Sequence, residues 1–311
     1  MVESKLVCEH GEEVSAKTCH ASPSHWADPK LDPKTIIGRF CTKMAEASST
    51  ALNDFSHILD IPYSEYWTPL CHAAKLDIFG VDETKASAPL LVFIHGGYWQ
   101  EGSRALSRPM VNSLVRGGAR VALVGYGLAP SFSLQVHCLS LTTPTTLAWL
   151  NAWAVEHAKA GWYLAGHSAG GQLAQMALCL SSQDFPQLKG LLLLSAVFDL
   201  LSLQGTNIVT PLALSETDVK ELSPINFTQQ LLAKLRATKP TGAPKLVLVL
   251  AGKEAPLLTQ QSRQFFHHLK AGPELAQFVS LPEHDHFRHL VECFSECAES
   301  LPQRTLKWMG L

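Results

Sequence analysis

The sequence contains no uninterrupted run of about 18 apolar residues, so no transmembrane helix is expected. Its opening stretch, MVESKLVCEHGEEVSAKTCH, has early acidic residues and no apolar segment, so no secretory signal is expected. Basic charge is not in excess: 25 Lys and Arg stand against 27 Asp and Glu. A nucleic-acid or anionic-membrane partner would need a basic stripe, and neither is expected here. There is no CxxC pair. The eight cysteines (Cys8, Cys19, Cys41, Cys71, Cys138, Cys179, Cys293 and Cys297) are irregularly spaced. In a large chain without a signal they read as reduced thiols of a cytoplasmic protein. Internal repeats and low-complexity tracts are also lacking, which excludes repeat architectures.

What remains is an ordinary globular composition, with 46% hydrophobic and 17% charged residues. That balance excludes a disordered chain. A length of 311 residues allows a large core, and α/β folds of this size often form one domain. Residues 1–70 show no clean strand pattern and read as an N-terminal arm or cap. Within them, ASPSHWADPKLDP is loop-like, and TIIGRFCTKMAEASSTALNDF has helical apolar spacing.

Beyond residue 70 the chain alternates. AAKLDIF (73–79) reads as an edge strand. PLLVFIH (89–95) and ARVALVGYG (119–127) are apolar runs of the kind buried on both sheet faces. GWYLAGHS (161–168), LKGLLLLSAVFDL (188–200), PKLVLVLAG (244–252) and LAQFVSLP (275–282) are further strands. Helical segments separate them, including SRPMVNSLVRGG, the stretch after Pro144, AGGQLAQMALCLSS, APLLTQQSRQFFHHLKA and HFRHLVECFSECAESL. Strands alternating with helices imply a mostly parallel, doubly wound sheet with helices on both faces.

Gly166-His167-Ser168-Ala169-Gly170 matches G-x-S-x-G. Such a match arises by chance in about 10% of chains this long. Its setting adds the specificity: an apolar strand precedes it and an apolar helix follows. That arrangement pushes a serine up at the sheet's C-terminal edge as a nucleophile. The helix N-terminus behind it adds partial positive charge where an oxyanion would form. Upstream, His95-Gly96-Gly97-Tyr98-Trp99 follows a strand, where a loop supplies oxyanion-hole N–H groups. Gly97, Tyr98 and Ala169 are the expected donors. His95 is expected to hold this loop rather than act as base, and His167 to be structural or pocket-lining.

In this class of fold the chain order is serine, acid, histidine. The base is expected to be His286, between the last strand and the helix after it, with His284 next in order. His289 falls within the predicted helix as a surface or packing residue. The acid is expected to be Glu254, the first carboxylate after LVLVLAG, with Asp199 as second choice. Its work would be to hold the imidazole tautomer and stabilise the imidazolium. Cys293 and Cys297 lie four apart near His286 and His289. They read as helix packing rather than as a metal site.

These residues resemble a specific family, kynurenine formamidase (arylformamidase), with the α/β-hydrolase fold. The likeness rests on HGGYWQEGS at His95, YGLAP (126–130), AGHSAGGQLAQMAL (165–178), LLSAVFDL (193–200) and DHF (285–287). Upstream, ASPSHW (21–26) and DIPYSE (60–65) extend it over nearly the whole chain. One departure stands out. The family has an HDSP-like loop with Asp as acid, whereas this chain reads KEAP, which puts Glu254 at that position. The resemblance implies hydrolysis of N-formyl-L-kynurenine to kynurenine and formate through a formyl-enzyme. It implies a small-molecule substrate and calls for no cofactor and no metal.

Tyr98 and Trp99 would wall the acyl pocket or stack on the aryl ring, with core packing the equal alternative for Trp99. Arg104, Arg108 and Arg288 are candidates for the substrate carboxylate. A homodimer is compatible with the sequence. A general small-acyl carboxylesterase would use the same residues, separated only by the Tyr-Trp-Gln extension. A non-catalytic hydrolase-fold binding protein is the remaining reading, and such proteins usually lack the serine or the histidine.

Overall fold

The computed structural model describes residues 8, 10, 12–63, 74–136, 138, 146–238, 245–291 and 300–311. Eight strands form one sheet in the order β1-β2-β4-β3-β5-β6-β7-β8. They are β1 His57–Pro62, β2 Lys75–Phe79, β3 Leu90–Ile94, β4 Arg120–Val124, β5 Trp162–His167, β6 Leu188–Leu194, β7 Leu246–Lys253 and β8 Ala276–Asp285. The pairs β1–β2 and β2–β4 are antiparallel, and every other neighbouring pair is parallel. The helices are α1 Ala16–Ala21, α2 Ser24–Ala27, α3 Pro33–Asp54, α4 Pro109–Arg116, α5 Thr146–His157, α6 Ala169–Leu180, α7 Glu216–Leu222, α8 Thr228–Arg236, α9 Pro256–Leu269, α10 Arg288–Val291 and α11 Leu301–Met309.

The unbroken apolar runs are explained by burial on two sides. All of β3 is buried. Because strand side chains alternate, Leu90, Val92 and Ile94 join one core layer. Leu91 and Phe93 join the other. The first layer packs under α5, α6, α8 and α9, through residues such as Leu150, Leu173, Leu231 and Phe265. The second packs under α3, α4 and α11, through Met44, Leu114 and Leu306. The arm helix α3 begins where the sequence indicates: Asp32 accepts from Thr35 N–H at 3.0 Å, and Pro33 occupies the first turn.

Three expectations change. The segment 73–79 is not an edge strand, because β1 pairs outside it. The polar position responsible, Asp77, is fully buried between Arg104 and Arg108 instead of facing water. β1 itself falls in a stretch read as lacking strands; its exposed edge residues give no apolar alternation. Finally, β6 stops at Leu194 rather than running on to residue 200. Ser195 adopts φ of 43°, which an extended strand does not allow. The expected helix start at Pro144 and the Cys293/Cys297 pair lie outside the described residues. Among those described, no helix is long and apolar enough to cross a membrane.

Candidate active site

The residues singled out by sequence stand at one edge of the sheet. Each follows the last residue of a parallel strand: His95 after β3, Ser168 after β5, Glu254 after β7 and His286 after β8. Parallel strands share a direction, so their C-terminal ends open one crevice.

Ser168 joins β5 to α6 with φ of 54° and ψ of −122°, a conformation that costs a non-glycine residue free energy. The tight turn leaves no room for side chains around it. A Cβ on Gly166 would lie 2.3 Å from Gly170 O, and one on Gly170 would lie 2.2 Å from Ile94 O. The Gly96 loop lies directly against the serine, since a Cβ there would sit 2.9 Å from Ser168 Cβ. Gly97 has φ of 112°, and a Cβ on it would meet Glu101 O at 2.1 Å. The N–H groups of Gly97, Tyr98 and Ala169 donate to no acceptor among the described residues.

His286 and Glu254 form a buried pair, with Nδ1 2.7 Å from Oε2. The other carboxylate oxygen, Oε1, accepts from Ala255 N–H at 2.8 Å. With Nδ1 committed, Nε2 is the nitrogen left to His286. Its backbone carbonyl accepts from His167 Nε2 at 2.9 Å. Ser168, His286, Gly97 and Tyr98 line one cavity of about 330 Å³.

Asp199, the alternative acid, caps a turn instead, accepting from Leu201 N–H at 2.9 Å. His284 does not line the cavity. His289 is not at the surface. It is sealed in the core, with Nε2 3.0 Å from Ser195 Oγ. Asp285 turns away from His286 and accepts from the N–H groups of Phe287 and Arg288.

Residues 91–290 match the alpha/beta hydrolase fold family. The kynurenine formamidase of Salmo salar is 30% identical over 93% of this chain and 94% of its own length. The chain belongs to the kynurenine formamidase family. The Drosophila melanogaster kynurenine formamidase is 31% identical over 68% of this chain and 70% of its own. Among solved structures, a hormone-sensitive lipase from a metagenome library superposes with a TM-score of 0.62 at 16% identity. It covers 90% of this chain and 98% of the lipase.

Within this kynurenine formamidase relative, the two readings left open for Trp99 are separated in favour of core packing. Trp99 does not wall the cavity. It is fully buried, and its Nε1–H donates to Gln172 Oε1 at 3.0 Å, anchoring the loop from beneath. Tyr98 does line the cavity, and its hydroxyl donates to Ala21 O at 2.5 Å, tying the loop to the arm. The three candidate arginines are also misplaced. Arg104 and Arg108 are engaged with buried Asp77, and Arg288 Nη1 donates to Glu283 O. Among the described residues, no Lys or Arg lines the cavity; its one carboxylate is Glu101.

Sequence reasoning missed Glu101 and the α3 wall formed by Ile37, Phe40 and Cys41. Glu101 lay within the quoted HGGYWQEGS stretch, but nothing in its spacing marked its direction. Tyr126 was also missed. It stacks on His95 with ring centroids 4.3 Å apart, and its hydroxyl donates to His95 O at 3.0 Å.

Burial pushes His95 down to about 4, while its Nδ1–H donates to Gly96 O at 2.8 Å. Burial likewise holds His167 and His289 well below the ordinary histidine range. Unfolded, each titrates near pH 6.5. Between about pH 4 and 6.5 the unfolded chain therefore binds more protons than the folded one. This stabilisation is present above pH 6.5 and is lost as pH falls toward 4, reaching about 3 kcal/mol for His95 alone. Urea unfolding at about pH 7.5 and 5 should show the lower stability at pH 5. Equal stabilities would refute neutral burial of these rings.

Proposed function

We propose that this protein hydrolyses N-formyl-L-kynurenine to L-kynurenine and formate through a formyl-enzyme on Ser168. His286 Nε2 takes the Ser168 proton as Oγ attacks the formyl carbon. Glu254 fixes the Nδ1–H tautomer and stabilises the imidazolium. The oxyanion is received by the N–H groups of Gly97, Tyr98 and Ala169, donors preorganised where charge develops. Collapse of the intermediate breaks the C–N bond, and His286 returns the proton to the departing arylamine. A water, deprotonated by His286, then releases formate.

The observation that carries this reading is Ser168 and the Glu254-paired His286 facing one cavity. The chain around them is 30% identical over 93% of its length to a protein named for this activity. Glu101, on the cavity wall, would meet the ammonium of an amino-acid substrate. With no cavity cation among the described residues, hydroxyls and backbone N–H groups meet its carboxylate.

The test compares kcat/KM for N-formyl-L-kynurenine and p-nitrophenyl acetate in the wild type and Glu101→Gln. Formylkynurenine should be the better substrate. The substitution should raise its KM by about tenfold, the loss of one charge-assisted contact, and leave the acetate ester nearly unaffected. Negligible formylkynurenine hydrolysis beside rapid ester hydrolysis would replace this reading with a general carboxylesterase.

A further inference from the structure

A cluster of metal-binding side chains lies outside the active site, in the N-terminal arm. Cys19 stands on α1, His25 on α2, and Cys8 in the turn before them, where its N–H donates to Glu12 O at 2.9 Å. His25 Nδ1 lies 3.2 Å from Cys19 Sγ and 3.8 Å from Cys8 Sγ. The three ligand atoms all lie within 4.8 Å of one another. Zinc bonds of about 2.3 Å to sulfur and 2.05 Å to nitrogen, at a tetrahedral angle, imply a sulfur–nitrogen edge of about 3.6 Å. The two observed edges bracket that value.

The far side of the imidazole is also arranged as for a ligand. His25 Nε2 lies 3.4 Å from Glu12 Oε2. A metal-bound histidine is commonly held by a carboxylate on its other nitrogen, which leaves the lone pair on the metal side. Cys19 and His25 are sealed from solvent and Cys8 is half-buried, so one side stays open for entry. The ring centroid of His10 lies 5.4 Å from that of His25.

We propose that Cys8, Cys19 and His25 form a structural zinc site that fastens the N-terminal arm over the active-site cavity. The chain between two of the ligands supplies Ser22, Pro23 and Ser24 to the cavity wall. Ala21 O, in the same segment, receives the Tyr98 hydroxyl. Binding releases two thiol protons to solvent, and the two thiolates balance the charge of the zinc ion. Soft sulfur ligands with imidazole in a tetrahedral set select zinc over magnesium or calcium.

The experiment uses the full-length reduced protein, stripped with chelator and titrated with Zn²⁺ or Co²⁺. One equivalent should bind, with a thiolate-to-cobalt charge-transfer band. Free zinc at about 100 times its Kd should lower the unfolding equilibrium constant about 100-fold. Cys8→Ser, half-buried and compatible with folding, should lose most of the band, while Cys179→Ser should keep it. Absence of saturable binding by reduced wild type overturns the proposal, as does a band unchanged in Cys8→Ser. So does a Cys8–Cys19 disulfide recovered from the untreated protein together with no metal uptake after reduction.

Discussion

Replacing Ser168 with alanine should slow turnover of N-formyl-L-kynurenine by about 10⁴-fold or more and leave the fold unchanged. Alanine fills nearly the same space but removes the hydroxyl at the head of α6, where Ser168 lines the cavity with His286. The residual rate would come from binding and the backbone donors. Ser168→Gly separates chemistry from strain. At φ of 54° and ψ of −122° a side chain is costly, and glycine removes that cost. The glycine variant should therefore be as inactive as the alanine one yet melt higher, by a few degrees for about 1 kcal/mol of relieved strain. A serine variant that keeps wild-type turnover would remove Ser168 from the mechanism. A glycine variant that melts below the alanine one would deny the strain.

Glu254→Ala should reduce kcat by about 10³–10⁴-fold with little change in KM. Glu254 touches His286 and does not line the cavity, so its loss acts through the imidazole. Without it, His286 Nδ1 loses its acceptor at 2.7 Å, and Ala255 N–H loses one at 2.8 Å. The ring can then adopt the wrong tautomer. Glu254→Asp shortens the reach by one methylene and should recover part of the activity. Asp199→Ala should behave nearly as wild type, because Asp199 holds a turn through Leu201 N–H. Steady-state kinetics on the three variants, with circular dichroism to check folding, decides the matter. Wild-type turnover in Glu254→Ala would exclude it as the positioning acid.

Much of this site was legible because its parts are local. A strand, a sharp turn and a helix within residues 162–180 suffice to mark Ser168, and Gly166 answers to a contact within that turn, whereas Gly170 makes room for Ile94 O on β3. Chain order then pointed to a histidine after the last strand. Glu254 was legible only as the first carboxylate after a strand. Its competitor Asp199 stood at an equivalent place after another strand, and only the distance to His286 separates them. Trp99 shows the opposite limit. Its neighbours in sequence line the cavity, but its φ of 61° turns the indole inward to Gln172.

Apolar runs that need covering on two faces already specify a mostly parallel sheet, and local sterics specify the serine turn. What depends on residues far apart in the chain is settled by the fold. It turned Arg104 and Arg108 toward Asp77 instead of the cavity, because a carboxylate without water requires cationic partners. It set α3 as a cavity wall, and it brought Cys8, Cys19 and His25 within reach of one ion. Periodicity tells which face of an element is apolar. Which element covers it is settled by packing of the whole chain.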